Sequence, residues 1–135
     1  MDKKVLILCT GNSCRSIIGE AVINKYLEGV TAYSAGVKAS GKVNPHAKKV
    51  LQEDGSWDEK YHSKTLEEVL DIDFDLVVTV CDNAKESCPM FPKDVKVIHV
   101  GYEDPDGKEF PAFEKTLKLI QMELTPIVRK ELGLS

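Results

Sequence analysis

The stretch Val5-Leu6-Ile7-Leu8-Cys9-Thr10-Gly11-Asn12-Ser13-Cys14-Arg15-Ser16 decides the reading of the fold. Its first four residues form an uninterrupted apolar run, which suits a short strand buried on both faces. The run passes directly into the polar segment Cys9 to Ser16. Beyond it, Ile17, Ile18, Ala21, Val22 and Tyr26 recur at helical spacing, and Gly29 offers a C-cap. The unit predicted is a strand, a polar loop and a helix, with the loop at the carboxyl end of the strand.

Working outward, Val30 to Ser34 reads as a second strand, followed by a loop rich in glycine and lysine. A helix is predicted after Pro45, using Ala47, Val50 and Leu51, and another over roughly Leu66 to Leu70. Leu76-Val77-Val78-Thr79-Val80 is β-branched and uncharged, as a central strand requires, and Val95 to Val100 follows as the next. The last helix is expected from Pro111 to Leu132, with Phe113, Leu117, Ile120, Leu124 and Val128 on one stripe and a kink or local break at Pro126. Strands alternating with helices imply a four-stranded parallel sheet flanked by helices on both faces, in a single α/β domain spanning residues 1–135. Trp57 and Tyr61 are read as core packing.

Composition limits the partners. The chain has 135 residues, 42% of them hydrophobic, enough for one ordinary core without staples. With 18 Lys and Arg against 22 Asp and Glu the net charge is −4, so no overall basic field favours nucleic acid or an anionic membrane. No apolar run approaches the roughly 18 residues of a membrane span, and the start lacks a signal-peptide pattern. A soluble, cytoplasmic protein is expected, in which any bound anion is caught locally.

The four cysteines are Cys9, Cys14, Cys81 and Cys88. A reducing compartment argues against a disulfide framework. Zinc is disfavoured because neither pair is Cys-x2-Cys and His46, His62 and His99 sit at no ligand spacing. Cys9 is different from an inert core thiol because of its place at a strand end before a helix. Backbone N–H groups of a loop entering a helix make a concave anion site, strengthened by the helix dipole. The same partial charges favour a thiolate. Thr10, Gly11, Asn12, Ser13 and Cys14 form the loop; Arg15 closes it with a planar guanidinium matched to two oxygens of a tetrahedral anion. Ser16 can hydrogen-bond the Cys9 sulfur. Turnover needs a proton donor for the departing oxygen, and Asp104-Pro105, in a loop beyond the strand ending at Val100, is the candidate.

These residues resemble the low-molecular-weight protein tyrosine phosphatase superfamily over nearly the whole chain. The resemblance rests on the opening motif, Tyr33-Ser34-Ala35-Gly36, Asp75-Leu76-Val77-Val78-Thr79-Val80 and Asp104-Pro105. Within it the chain looks most like the thioredoxin-coupled arsenate reductases, through Cys-Thr-Gly-Asn-Ser-Cys-Arg-Ser, the strand end at Cys81 followed by Cys88-Pro89, and Gly101 to Lys108. The resemblance implies a relay: Cys9 attacks arsenate, Asp104 protonates the leaving oxygen, Cys81 releases arsenite by forming a Cys9–Cys81 disulfide, and Cys88 converts it to Cys81–Cys88, which thioredoxin reduces. Seven residues of helix rise would hold Cys81 and Cys88 about 10 Å apart. A disulfide requires less than about 7 Å, so the segment from Asp82 to Ser87 must bend on oxidation. Cys14 has no place in the relay.

Some reductases of this family bind potassium beneath the loop through an Asn, a Glu, a Ser and an Asp. Asn12, Glu20 and Ser34 match three of these, but His62-Ser63-Lys64-Thr65 has no Asp. Lys64 is expected to place its ammonium where the cation would sit, making activity insensitive to potassium; no tightly bound cofactor is implied. A phosphatase would use the same loop, Arg15 and Asp104, since phosphate, sulfate and arsenate are all tetrahedral oxyanions. It would have no use for Cys81 with Cys88, and the aromatic residues that grip a phenyl ring are replaced by Asp106-Gly107-Lys108. A binding-only sensor would need neither Asp104 nor the thiol pair. A monomer is expected, because the relay is intramolecular.

Overall fold

A computed structural model describes residues 2–81 and 91–134. Strand β1 (Lys3–Cys9) lies inside a four-stranded sheet beside β2 (Val30–Gly36) and β3 (Leu76–Thr79), with β4 (Val97–His99) at the edge, in the order β2-β1-β3-β4. All three pairings are parallel, as predicted. Val5 to Leu8 are fully buried, because side chains alternate between two covered faces.

The α-helices lie mainly on one side. Helices α1 (Arg15–Tyr26), α2 (Pro45–Asp54), α3 (Phe110–Leu119) and α4 (Thr125–Glu131) share one core with Val5, Ile7, Leu76 and Val78. Leu6, Leu8, Ala35 and Val77 face the other way, under a 3-10 helix (Leu66–Val69) that brings Val69 and Leu66 onto them. The helix expected over Leu66–Leu70 is thus one tight turn, held by a capping box in which Thr65 and Glu68 bond reciprocally. Together with Ile72, Phe74, Phe91 and Val95 it covers this second face.

Two other local expectations change, and the expected break near Pro126 is present. Helix α1 ends at Leu27, not at Gly29; Gly29 has φ +76° and turns the chain into β2. The long C-terminal helix is interrupted before Pro126, where Ile120–Leu124 widens into a π turn. Pro126 then sits in the first turn of α4, where its missing N–H costs least, and the buried stripe Phe113, Leu117, Ile120, Leu124 and Val128 stays intact. The edge strand is shorter than Val95–Val100: Val97 to His99 pair with Val77 to Thr79, and within that span only the Lys96 carbonyl and the Val100 N–H extend the ladder beyond them. Tyr61 is buried, with Trp57 edge-on against it, so both serve the core.

Candidate active site

Parallel strands deliver their carboxyl ends to one edge, and the site is built there. Cys9 ends β1 opposite Gly36 of β2, and on the other side Leu8 pairs with Thr79 of β3, two residues before Cys81. The chain from Thr10 to Cys14 loops over this edge before α1 begins at Arg15. Asn12 adopts φ +48°, a left-handed conformation that asparagine tolerates and that tightens the loop. A Cβ at position 36 would stand 2.5 Å from the Thr10 carbonyl oxygen and 3.0 Å from the Asn12 nitrogen, so only glycine lets the loop lie this low on β2.

The segment after β2 fixes the orientation of the loop peptides. The backbone N–H groups of Lys38, Ser40 and Asn44 donate to the carbonyls of Thr10, Gly11 and Ser13. A trans peptide points its N–H opposite to its carbonyl. The N–H groups of Gly11, Asn12 and Cys14 are therefore aimed away from the β2–α2 segment. A cavity of about 250 Å³ lies within the loop, lined by residues 9 to 15 together with Ser40, Asp104 and Asp106. Its dimensions suit a small oxyanion rather than a large ring system.

Below the cavity the Cys9 Sγ lies 2.9 Å from the Ser16 Oγ. Ser16 accepts a hydrogen bond from Asn12 Nδ2 at 2.7 Å, which leaves its own hydroxyl hydrogen for the sulfur. Asn12 Oδ1 in turn accepts from the Lys64 N–H at 2.8 Å. Cys9, Asn12 and Ser16 are all buried, so this chain of bonds holds the Cys9 sulfur without competition from water.

Arg15 is 3% exposed; its Nη1 donates to the Tyr102 carbonyl at 3.1 Å and its Nη2 lies 3.5 Å from Asp104 Oδ2. Asp104 is half exposed at the mouth, and its Oδ1 accepts from the Asp106 N–H at 3.0 Å. The guanidinium and the candidate acid are thus brought together from α1 and from the loop after β4. Cys14 is buried beside them, and burial, followed by the nearby Asp104, Asp106 and Cys9, outweighs its Ser13 contact and pushes its thiol up to about 12. It is a neutral thiol at physiological pH.

Lys64 is drawn inward rather than solvated. Its ammonium lies 3.8 Å from Glu20 Oε1 and 3.1 Å from the His62 carbonyl. Ser34 Oγ donates to the same Glu20 oxygen at 2.6 Å. Burial raises the Glu20 carboxyl above its ordinary value, with Lys64 and Ser34 opposing. A potassium ion beside Glu20 would stand against the Lys64 ammonium, which already supplies a positive charge there. Among the described residues no cluster of three or more His, Cys, Asp or Glu side chains is arranged to hold a metal.

Cys81 is buried at the end of β3 and is disulfide-bonded, whereas Cys9 and Cys14 are free thiols. Cys88 and the segment from Asp82 to Ser87 lie outside the described residues. Sequence reading gave no part in the site to Ser40 and Asp106, which line the cavity, or to Asn44, which bonds to Asp106. The only local signal for Asn44 was an Asn-Pro pair before a helix.

The family model for low molecular weight phosphotyrosine protein phosphatase matches residues 4–133. An arsenate reductase of Brevibacillus brevis is 42% identical over 118 residues, 84% of each chain. The crystal structure of an arsenate reductase from Archaeoglobus fulgidus superposes with a TM-score of 0.82 at 36% identity, covering 92% of this chain and 98% of that one. An arsenate reductase in a phosphate-binding state gives a TM-score of 0.81 at 25% identity, covering 95% and 98%. With strand order, loop and match in agreement over nearly its full length, the chain belongs to the low molecular weight phosphotyrosine protein phosphatase family.

Proposed function

We propose that this protein reduces arsenate to arsenite. The observation that carries the reading is the placement of Cys81 at the end of β3, beside the strand that delivers Cys9, with Cys81 in a disulfide and Cys9 a free thiol. A hydrolytic phosphatase needs only the Cys9 sulfur. Relatives at about this level of similarity that bear the name arsenate reductase support the same choice.

In the mechanism, the Cys9 thiolate attacks arsenic while the loop amides and Arg15 hold the oxygens. A sulfur–arsenic bond forms, an arsenic–oxygen bond breaks, and the proton of Asp104 lets the oxygen leave as water. The Cys81 thiolate then attacks the Cys9 sulfur. A sulfur–sulfur bond forms, the sulfur–arsenic bond breaks, and its electron pair stays on arsenic, which departs as arsenite. Two electrons have passed from two sulfurs to one arsenic. Cys88 attacks Cys81, freeing Cys9, and thioredoxin supplies two electrons and two protons to the Cys81–Cys88 disulfide. Ser16 donates to the Cys9 sulfur and steadies its anionic form in both steps. A disulfide at Cys81 beside a free Cys9 is the combination expected at the end of this relay.

Phosphate and sulfate compete for the loop, and weak phosphomonoester hydrolysis accompanies reduction. Lys64 supplies the positive charge beside Glu20, so exchanging sodium for potassium leaves the rate unchanged; a rise with potassium would contradict this role. The enzyme acts as a monomer in the cytoplasm, where thioredoxin is available. No helix among the described residues is long and apolar enough to cross a membrane.

The test is arsenate-dependent NADPH oxidation in the presence of thioredoxin and thioredoxin reductase. Cys81→Ser abolishes repeated turnover and Cys9→Ser abolishes all reduction. Sustained turnover by Cys81→Ser would refute the relay. Mass analysis after one equivalent of arsenate identifies the sulfur pair joined at the end.

A further inference from the structure

Every hydrogen-bonding group of Asn44 is used, and the partners lie on three different segments. Its backbone N–H donates to the Ser13 carbonyl at 3.0 Å, in the wall of the anion loop. Its backbone carbonyl accepts from Lys48, and its Oδ1 caps α2 by accepting from the His46 N–H at 2.8 Å. Its Nδ2 donates to Asp106 Oδ1 at 2.7 Å. The Asp106 N–H in turn holds Asp104 Oδ1.

Capping alone does not explain the choice of asparagine, since aspartate and serine cap equally well. Aspartate accepts from a helix N–H but cannot donate to a carboxylate, and serine, which can do both, lacks the reach to Asp106; the longer amide does both at once. The second bond matters once substrate arrives. Asp104 is otherwise tied to the cavity by Arg15, at 3.5 Å. An oxyanion in the loop claims that guanidinium, and the contact between Asn44 and Asp106 remains to keep the acid's loop in place.

We propose that Asn44 is a positioning residue for the first chemical step: through Asp106 it holds Asp104 over the cavity, while its backbone holds the opposite wall at Ser13. The inference rests on the arsenate-reductase reading. It concerns how the acid is held, and assigns Asn44 no contact with the reacting atoms.

The experiment measures arsenite formed in a single turnover of the fully reduced protein, without thioredoxin, as a function of arsenate concentration. Asn44→Asp retains the cap and sets a carboxylate against Asp106. Its maximal rate falls about tenfold, the cost of one charge-assisted bond, while half-saturation stays within about threefold. In the reciprocal variant N44D/D106N the amide and carboxylate exchange places, and the rate returns to within about threefold of the parent. Asn44→Ser keeps the cap, lacks the reach, and behaves as N44D does should N44D fold poorly. A normal maximal rate in N44D or N44S, or a double variant no faster than N44D, overturns the inference. Absence of arsenite formation by the unsubstituted protein overturns instead the reductase reading beneath it.

Discussion

Replacing Lys64 by methionine removes the cation beside a buried carboxylate while keeping the length of the stem. At 3.8 Å and an effective dielectric of about 20, the attraction between the two charges is roughly 4 kcal/mol. Breaking a buried pair from one side costs about 3 to 5 kcal/mol, and the separation here favours the lower end, about 3 kcal/mol. For a domain of this size that is a loss of roughly 10 °C in Tm. The pH dependence follows from Glu20, whose carboxyl is raised above 4.5 by burial and restrained chiefly by Lys64. Without Lys64 it rises further. A raised carboxyl binds more protons folded than unfolded, so stability falls as pH rises through the window between 4.5 and the folded value. The deficit of Lys64→Met is therefore larger at neutral pH and shrinks as the solution is acidified toward 4.5, where Glu20 folds as the neutral acid. Thermal unfolding followed by circular dichroism at about pH 7.5 and about pH 5, compared with the parent, reads both effects. Glu20→Gln in the same chain recovers most of the loss, because the Gln oxygen still accepts from Ser34. A loss below about 1 kcal/mol, or one that does not diminish on acidification, would refute the pairing argument.

Three further outcomes are expected. Arg15→Lys keeps the charge but loses the two-pronged fork, and kcat/KM for arsenate falls about 100-fold or more in the thioredoxin-coupled assay. Gly36→Ala forces a methyl against the Thr10 carbonyl, at 2.5 Å, and destabilises the protein by about 1 to 3 kcal/mol in urea unfolding while weakening protection by phosphate. Brief treatment of the reduced protein with iodoacetamide near neutral pH labels the peptide bearing Cys9 and spares Cys14, whose thiol is pushed up to about 12 and so stays protonated; equal labelling by mass spectrometry would contradict that difference.

The contrast between Arg15 and Asn44 shows where sequence reading succeeds. Arg15 stands six residues from Cys9 on a continuous strand, loop and helix whose apolar periods place both ends of the motif. Asn44 reaches Asp106 across 62 residues, and neither position carries a pattern that names the other. Lys64 lies between these cases. Resemblance suggested where its ammonium should go, but a lysine in His62-Ser63-Lys64-Thr65 is ordinarily a surface residue, and its proximity to Glu20 depends on how that loop folds back against α1. The 3-10 turn at Leu66 and the π turn before Pro126 escaped for a related reason: both preserve the apolar stripe that sequence shows while changing the hydrogen bonds that it does not.

The sequence by itself determined the alternation of strands and helices and the loop at the end of β1 that carries the candidate nucleophile and the guanidinium, because each is written in consecutive residues under local steric and hydrophobic rules. Only the tertiary structure decided which carboxylate faces Arg15, what holds that carboxylate, and which cation neutralises Glu20. Those contacts join segments far apart in the chain, and parallel strands bring such segments to a common edge only once the sheet has formed.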